Sequence, residues 1–528
     1  MVEILAASPL LTLFTAIALG TLVGAIPFGR LKFGPAGALF VGLALGALDP
    51  RLGEGLGLVG SIGLTLFVYT IGIAAGASFF RDLRKQAPLM IGAAVLLVAF
   101  AGTLILVGPH VGLSGELGGG LFAGALTTTP ALASAQAAAG GSTLPAVGYS
   151  IAYPIGVVLT MVMITLVTRS RMRGAKDPAP VSSGELLDIT VLVNHPMRVS
   201  EIPQIATNPG SAAGKVRVSY FMRGGEVSVA SPTEKLEEGD RVLLVGEPSA
   251  VTDAAAALGT RVSEHLAHDR SRVNFRRFIV SNPALAGRTV ADLHVPYRFG
   301  GIITRVRRGD RDMLAHADMP LQLGDRVRVV FPTPKRAELA AYFGDSEKRI
   351  TEVDFFSLGI GIALGVAVGL VALPVGGAQL ALGSSAGPLL VGLILGKADR
   401  TGPFVWTLPH SANLTIRQLG LVMFLAAVGL SSGQAFASTA FTMTGLTVAL
   451  LAAVLLALAL LAMWGLGHVL GLSSARTAGA IAGFVGQPVL LNHAHSLVDD
   501  ERTDTGFSAL FTAALIVKII VVQAIVLA

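Results

Sequence analysis

The chain is 528 residues long, 52% hydrophobic and only 14% charged, with 64 glycines, no cysteine and a formal net charge of +6, and its mean hydropathy is +0.70. Soluble globular chains carry about 25% charged residues, so a protein wetted along its whole length is excluded. The missing cysteine excludes disulfide frameworks, thiolate metal sites and a cysteine nucleophile.

Charge is concentrated in the middle, where residues 169–352 hold 27 of the 39 Lys and Arg and 22 of the 33 Asp and Glu. The pattern is that of a membrane protein with a soluble insert. Outside the insert the basic residues cluster at the ends of apolar segments, which membrane orientation explains better than nucleic-acid binding. At the N-terminus, Glu3 stands where a signal peptide needs positive charge, so residues 10–28 are expected to remain as a first span. Further apolar stretches run roughly 35–48, 57–79, 88–109, 117–140 and 146–168, then 355–373, 384–396, 416–437, 443–471, 477–497 and 506–528. Most are long enough to cross a hydrocarbon core of about 30 Å as helices, whereas 35–48 and 384–396 are short.

Two of these segments differ in kind. Thr127-Thr128-Thr129-Pro130 and Gly486-Gln487-Pro488 place polar groups and a proline at mid-segment. Proline interrupts the helical ladder, and broken backbone is tolerated at that depth only inside protein or beside water. With the basic insert in the cytoplasm and both broken segments read as re-entrant hairpins, Arg30, Lys32, Arg81, Arg84, Lys85, Arg169, Arg171 and Arg173 fall at cytoplasmic ends in the first half. Lys348, Arg349, Lys397, Arg400, Arg417, Arg476 and Arg502 do so in the second, and among the loops only Arg51 faces outward. A full crossing by the first broken segment would move five of those cations outside, against the positive-inside rule. Five crossings per half follow, with both termini outside.

The halves repeat. Gly20 and Gly24 match Gly365 and Gly369; Gly42, Leu45 and Gly46 match Gly392, Leu395 and Gly396. Gly63, Phe67, Gly72, Gly76 and Phe79 match Gly420, Phe424, Gly429, Gly433 and Phe436, and Pro130, Leu132, Gly148 and Tyr153 match Pro488, Leu490, Gly506 and Phe511. An odd number of crossings inverts the second copy, and inverted repeats with broken segments at mid-membrane mark secondary transporters. The expected fold is a polytopic α-helical membrane protein of two inverted repeats, about five spans and one re-entrant hairpin each, with two small α+β cytoplasmic domains between them. Taken individually, the paired Gly-x3-Gly motifs signify close helix packing.

In the insert, a polar linker to about Ser183 precedes β-like alternation at 189–193, 216–220 and 241–245. Arg223-Gly224, Leu236 and Gly239-Asp240-Arg241-Val242 recur as Arg308-Gly309, Leu321 and Gly324-Asp325-Arg326-Val327. Two such modules with Gly-Asp turns resemble tandem TrkA C-terminal (RCK C-terminal) domains. The order of half, two modules and half, with Gly124-Ala-Leu-Thr-Thr-Thr-Pro130-Ala-Leu132 in the first broken segment, is similar to the aspartate:alanine exchanger family, which includes succinate-exporter-like members. The resemblance implies a membrane repeat at 1–170, TrkA-C-like modules at 184–260 and 270–345, and a second repeat at 353–528. It also implies exchange or export of aspartate, alanine or a dicarboxylate, an elevator-like motion, a homodimer, and an unidentified small-molecule regulator of the modules. The second copy departs from the pattern, with Gly486-Gln487-Pro488 in place of Thr-Thr-Pro.

Substrate-binding candidates are Thr127, Thr128, Thr129, Pro130, Gly486, Gln487, Pro488, Asn492, His493 and Lys518. Lys518 is the only Lys, Arg, Asp or Glu well inside an apolar span. An ammonium there costs at least roughly 2.5–3.5 kcal/mol, so it is read as a counter-charge for a substrate carboxylate, the alternative being snorkelling outward. Thr160 holds the corresponding place in the first half. The hydroxyls, the amide and exposed half-helix N–H groups suit an anion, although the same side chains could serve as local caps. Asn492, His493 and His495 read as a polar face along the pathway; two histidines without further ligands make a poor metal site. Arg417 has interfacial anchoring as its ordinary role and substrate contact as the alternative.

Gly383-Ser-Ser385-Ala-Gly387 and Gly429-Leu-Ser431-Ser-Gly433 fit the nucleophile-elbow pattern but lie in expected membrane helices, not at a strand-to-helix turn. Ala213-Gly-Lys215 lacks P-loop spacing. No enzyme activity, cofactor or metal is expected. The leading reading is a secondary transporter of a small anionic or zwitterionic substrate in the cell membrane. The alternative is an ion channel or cation transporter regulated by RCK-type modules, against which stands the lack of a Thr-Val-Gly-Tyr-Gly filter.

Overall fold

The computed structural model of the chain describes residues 2–27, 34–170, 172, 174–175, 177, 186–202, 205, 215–230, 233–262, 273–308, 311–346, 353–375, 378–402, 404–498, 500 and 502–528. Arg30, Lys32, Arg171, Arg173, Lys348 and Arg349 of the charge argument lie outside the described residues, as do Ser183, Gly309 and the expected module starts at 184 and 270. The chain divides into two compact units: Met1–Val181, Phe355–Ala398 and Asn413–Ala528 form one, and Ser182–Asp354 with Asp399–Ala412 forms the other.

The first unit opens with α1 (Val2–Ala6), α2 (Pro9–Ala25), α3 (Ala36–Leu48), α4 (Gly57–Val107), α5 (Gly115–Ala125), α6 (Thr129–Ala138) and α7 (Leu144–Arg169). Start signals are written locally: Pro9 occupies the first turn of α2, and the Ser114 hydroxyl accepts from Leu117 N at 3.3 Å to cap α5. The expected spans 57–79 and 88–109 correspond to Gly57–Gly76 and Gln86–Val111, each long and apolar enough to cross a membrane. What the sequence did not suggest is that α4 continues between them through Arg81–Ala87, where Arg, Leu, Lys, Gln and Ala are good helix formers and no breaker precedes Pro88. Its 51 residues are enough for two crossings of a hydrocarbon core of about 30 Å.

The segment broken at Thr127 folds back on itself. Residues 16 apart on one continuous helix would lie about 24 Å apart, yet a Cβ built on Gly119 would stand 3.5 Å from that of Ala135. Beyond them, Ser142 donates a 2.6 Å hydrogen bond to Glu116. α5 and α6 therefore lie side by side.

In the soluble unit, β1 (Leu187–Val193), β2 (Met197–Arg198), β3 (Val216–Arg223), β4 (Glu226–Val229), β5 (Lys235–Leu236), β6 (Arg241–Gly246), α8 (Pro248–Leu258) and β7 (Gly259–Val262) give a sheet ordered β4-β3-β6-β1-β7. Next, β8 (Val273–Ile279), α9 (Val295–Phe299), β9 (Ile302–Arg308), β10 (Arg311–Leu314), β11 (Arg326–Pro332) and α10 (Arg336–Phe343) give a sheet ordered β10-β9-β11-β8. The recurring Arg-Gly and Gly-Asp residues form the same clamp in each sheet. Arg223 pairs with buried Asp240 at 2.8 Å and Arg308 with buried Asp325 at 2.7 Å, and each carboxylate also accepts a 2.8 Å bond from a turn N–H, of Glu237 or Gln322. A third apolar cluster, Tyr220, Val227, Leu243 and Val245 with Leu314 and Val330, joins the two sheets.

The chain then returns to the first unit with α11 (Phe355–Gly369), the strand pair β12 (Ala372–Val375) and β13 (Ala378–Ala381), and α12 (Gly383–Ala398). β14 (Arg400–Thr401) and β15 (Phe404–Val405) precede α13 (His410–Thr439), α14 (Met443–Val469), α15 (Ser474–Val485), α16 (Pro488–Leu497) and α17 (Arg502–Leu527). Among the described residues, six helical stretches are long and apolar enough to cross a membrane. Equivalent glycines make equivalent contacts in the two halves. Gly42 and Gly46 of α3 approach the α13 backbone at Ala426–Leu430, while Gly392 and Gly396 of α12 approach the α4 backbone at Tyr69–Ile73. Gly120 and Gly124 seat α5 on α7, and Gly479 and Gly483 seat α15 on α17. A methyl at these positions would collide with backbone, so the spacing of the repeat is a packing code.

Candidate functional site

The two breaks share one construction. At the end of α5, Thr127 N–H donates to Gly124 O at 2.9 Å and Thr128 N–H to Ala123 O at 2.8 Å, with Thr127 left-handed at φ 46°. That is a Schellman closure with threonine where glycine is usual. At the end of α15, Gly486 N–H and Gln487 N–H both reach Ala482 O, and Gly486 takes φ +87°. Pro130 and Pro488 sit in the first turn of α6 and α16, where a missing N–H costs nothing. The first tip holds three residues, 126–128, and the second only two, 486–487, which accounts locally for Thr-Thr-Pro facing Gly-Gln-Pro.

The tips meet at Lys518. Its side chain, only 1% exposed, donates to Val485 O at 2.9 Å on one tip, and to Thr128 Oγ1 at 3.0 Å and Leu126 O at 3.5 Å on the other. Lys518 therefore turns inward instead of snorkelling. Thr127 Oγ1 also crosses to Val485 O, at 3.3 Å. From α7, Tyr153 Oη accepts a 2.7 Å bond from Gln487 Nε2, and Tyr149 Oη lies 3.3 Å from Thr129 Oγ1. Thr160, the counterpart of Lys518, is buried and donates to Gly156 O at 2.7 Å in its own helix.

A cavity of about 280 Å³ opens over both tips. Thr127–Pro130, Gly486–Pro488 and Lys518 line it, with Tyr149, Tyr153, Phe67, Phe511, Arg417 and Gln418. Eight of the ten sequence candidates are thus brought together. Asn492 and His493 are not: the turn of α16 carries Asn492 to an exposed position, and His493 Nε2 lies 3.0 Å from Thr165 Oγ1. His495 faces Asp504 at 3.4 Å.

Tyr149, Tyr153 and the cavity-facing aspect of Arg417 were not among the chosen candidates. The available signal was a pair of hydroxyls four residues apart on an apolar helix. Half-buried Arg417 has no hydrogen-bond or ion-pair partner among the described residues. The described lining carries Arg417 and Lys518 and no carboxylate. Among the described residues no three His, Cys, Asp or Glu side chains converge as metal ligands. Ser385 and Ser431 lie within α12 and α13, bonded to Ser134 Oγ at 2.9 Å and to Ala427 O at 3.0 Å.

Comparison with known proteins gives the following. The family model for the aspartate–alanine exchanger group, described as a predicted permease membrane region, matches residues 12–169 and 357–527. A TrkA-C domain model matches residues 275–344. An uncharacterized transporter of Cutibacterium acnes is 44% identical over 527 residues, covering 99% of both chains. Uncharacterized transporters of Geobacter sulfurreducens and Symbiobacterium thermophilum are 38% and 39% identical, the first covering 99% of both chains and the second 100% of this chain and 99% of its own. No solved structure matches the chain.

Proposed function

We propose that this chain, which belongs to the aspartate–alanine exchanger family of predicted permeases, is a secondary transporter that exchanges or exports small carboxylates or amino acids by alternating access. That it is a multi-pass membrane transporter follows from the family and from its apolar helices. The substrate is our reading, and one observation carries it: the cavity at the two tips presents Arg417 and Lys518 with no acidic side chain among its described lining. Lys518 spends its donors holding the tips together beneath the cavity, while Arg417 keeps its donors open for a carboxylate. A space of about 280 Å³ suits a small metabolite and not a peptide.

In this reading the α5–α6 and α15–α16 pairs are re-entrant hairpins that enter from opposite faces, the halves are inverted copies, and the insert is cytoplasmic. The charge bias of the apolar segments supports that orientation. Five crossings per half require the chain to reverse near Pro88, within α4. Motion of the hairpins against the rest of the unit would be elevator-like, in a homodimer. The test is counterflow in proteoliposomes: labelled aspartate or succinate should enter only against internal unlabelled substrate. An ohmic potassium current without counterflow would overturn the proposal in favour of a channel.

A further inference from the structure

The soluble unit contains a cavity of about 310 Å³ unrelated to the membrane site. One wall is Arg217, on β3 of the first sheet; the others come from the second module and include Val295, Pro296, Ile302 and Ile303. Other arginines of this unit have an acid: Arg223 and Arg308 hold Asp240 and Asp325, Arg305 and Arg328 share Asp188, and Arg276 and Arg277 face Asp345 and Asp312. Arg217 has none among the described residues, and its Nε is fully buried without a hydrogen-bond partner. Glu247, which the β3–β6 register brings next to this strand, already pairs with Lys215 at 3.1 Å. His316, next to the lining residue Ala317, also buries an unpartnered Nδ1. Burial, followed by the charge of Arg217, pushes His316 below its ordinary value, so it adds no competing cation near neutrality.

A guanidinium whose Nε is buried without a hydrogen-bond partner or counter-ion is destabilising unless something fills the role. Apart from Arg217, His294 and Tyr297 the wall is apolar, so the missing partner has an apolar part as well as a negative one. We propose that the cavity between the two modules is a regulatory binding site for a small organic anion, whose carboxylate or phosphate pairs with Arg217 while its apolar body rests on Val295, Ile302 and Ile303. This site does not depend on which substrate the membrane unit carries.

The experiment uses the full-length protein in detergent, titrated calorimetrically with phenyl phosphate, benzoate, inorganic phosphate and benzyl alcohol. Phenyl phosphate or benzoate is expected to bind, phosphate and benzyl alcohol at least tenfold more weakly. Which of the two aromatic anions binds tighter separates a phosphate from a carboxylate ligand. Arg217→Gln should weaken binding at least tenfold while melting no lower than the wild type when unliganded; Arg261→Gln, at an exposed position, should change neither. Should Arg217→Gln fail to fold, Ala317→Leu, which fills the cavity and leaves the guanidinium, should abolish binding. The proposal is overturned if no aromatic anion binds at 10 mM (roughly ten times the weak end of ordinary metabolite affinities), if Arg217→Gln or Ala317→Leu binds as the wild type does, or if benzyl alcohol binds equally well.

Discussion

Replacing Lys518 by methionine keeps the length of the side chain and deletes its ammonium, separating what the charge does for stability from what it does for transport. In the folded protein the ammonium makes two short bonds, 2.9 Å to Val485 O and 3.0 Å to Thr128 Oγ1. Hydrogen bonds to charged groups contribute roughly 1.5–3 kcal/mol each. Against them stands a cost of roughly 2.5–3.5 kcal/mol for a lysine at mid-span. The net loss of stability is therefore between about −0.5 and about 3.5 kcal/mol, and Thr128 Oγ1 keeps its own 2.7 Å bond to Leu126 O. For a carboxylate in the cavity the balance is one-sided. A unit charge about 4 Å away at an effective dielectric near 20 is worth up to about 4 kcal/mol, so losing even half of that lowers transport more than tenfold. The assay pairs thermal unfolding in detergent with counterflow of labelled aspartate or succinate. We expect a folded protein with transport reduced tenfold or more. Normal counterflow would refute the role of the charge, and loss of transport only in proportion to loss of folded protein would reduce Lys518 to a structural brace.

Arg417→Gln should raise the half-saturating concentration roughly 10- to 100-fold, the equivalent of one charge-assisted contact, with the folded yield unchanged because no described residue depends on that guanidinium; an unchanged value would remove Arg417 from the site. Thr128→Ala deletes both the acceptor of Lys518 and the donor to Leu126 O and should lower transport well beyond its effect on yield, as counterflow normalised to monodisperse protein would report. The soluble unit should lose stability in acid through His316, whose native value is lowered from 6.5 by burial and by Arg217. A group depressed in the native state contributes fully above its unfolded value and loses that contribution as pH falls through the native one. Thermal melts of wild type and His316→Gln should therefore run parallel above pH 7 and diverge below about 6.5, with the wild type the more acid-sensitive; parallel curves down to pH 5 would contradict this.

Much of the architecture could be read in the residues. Pro130 and Pro488 marked the two breaks because proline cannot continue the ladder, and Lys518 announced itself as a lone charge in an apolar span. The Arg-Gly and Gly-Asp pairs of the insert could be matched because a buried clamp needs both members at fixed spacing, and the structure shows Arg223–Asp240 and Arg308–Asp325 making it. What could not be read was direction. Neither α7 nor α13 separates a polar face from an apolar one clearly, so nothing in their pattern said that Tyr149, Tyr153 and Arg417 face the cavity. Asn492 and His493 were candidates because they follow the second tip in sequence, and the turn of α16 carries them away from it. The continuity of α4 was also hidden, since a charged run such as Arg81–Gln86 suits an exposed helix as well as a loop.

The account stands on two folded-back helix pairs that enter from opposite sides of the membrane. The natural chain has no cysteine, so single cysteines can be probed in intact cells with an impermeant maleimide without further engineering. His110 and Ala137 flank the first pair, His468 and Ser496 flank the second, and all four are exposed. Cysteines at 110 and 137 should both be labelled from outside, those at 468 and 496 only after permeabilisation, and one at Arg84 likewise only after permeabilisation. Labelling of 110 and 137 from different faces, or of all four flanking positions from the same face, would contradict the opposed hairpins and the anion pocket between them.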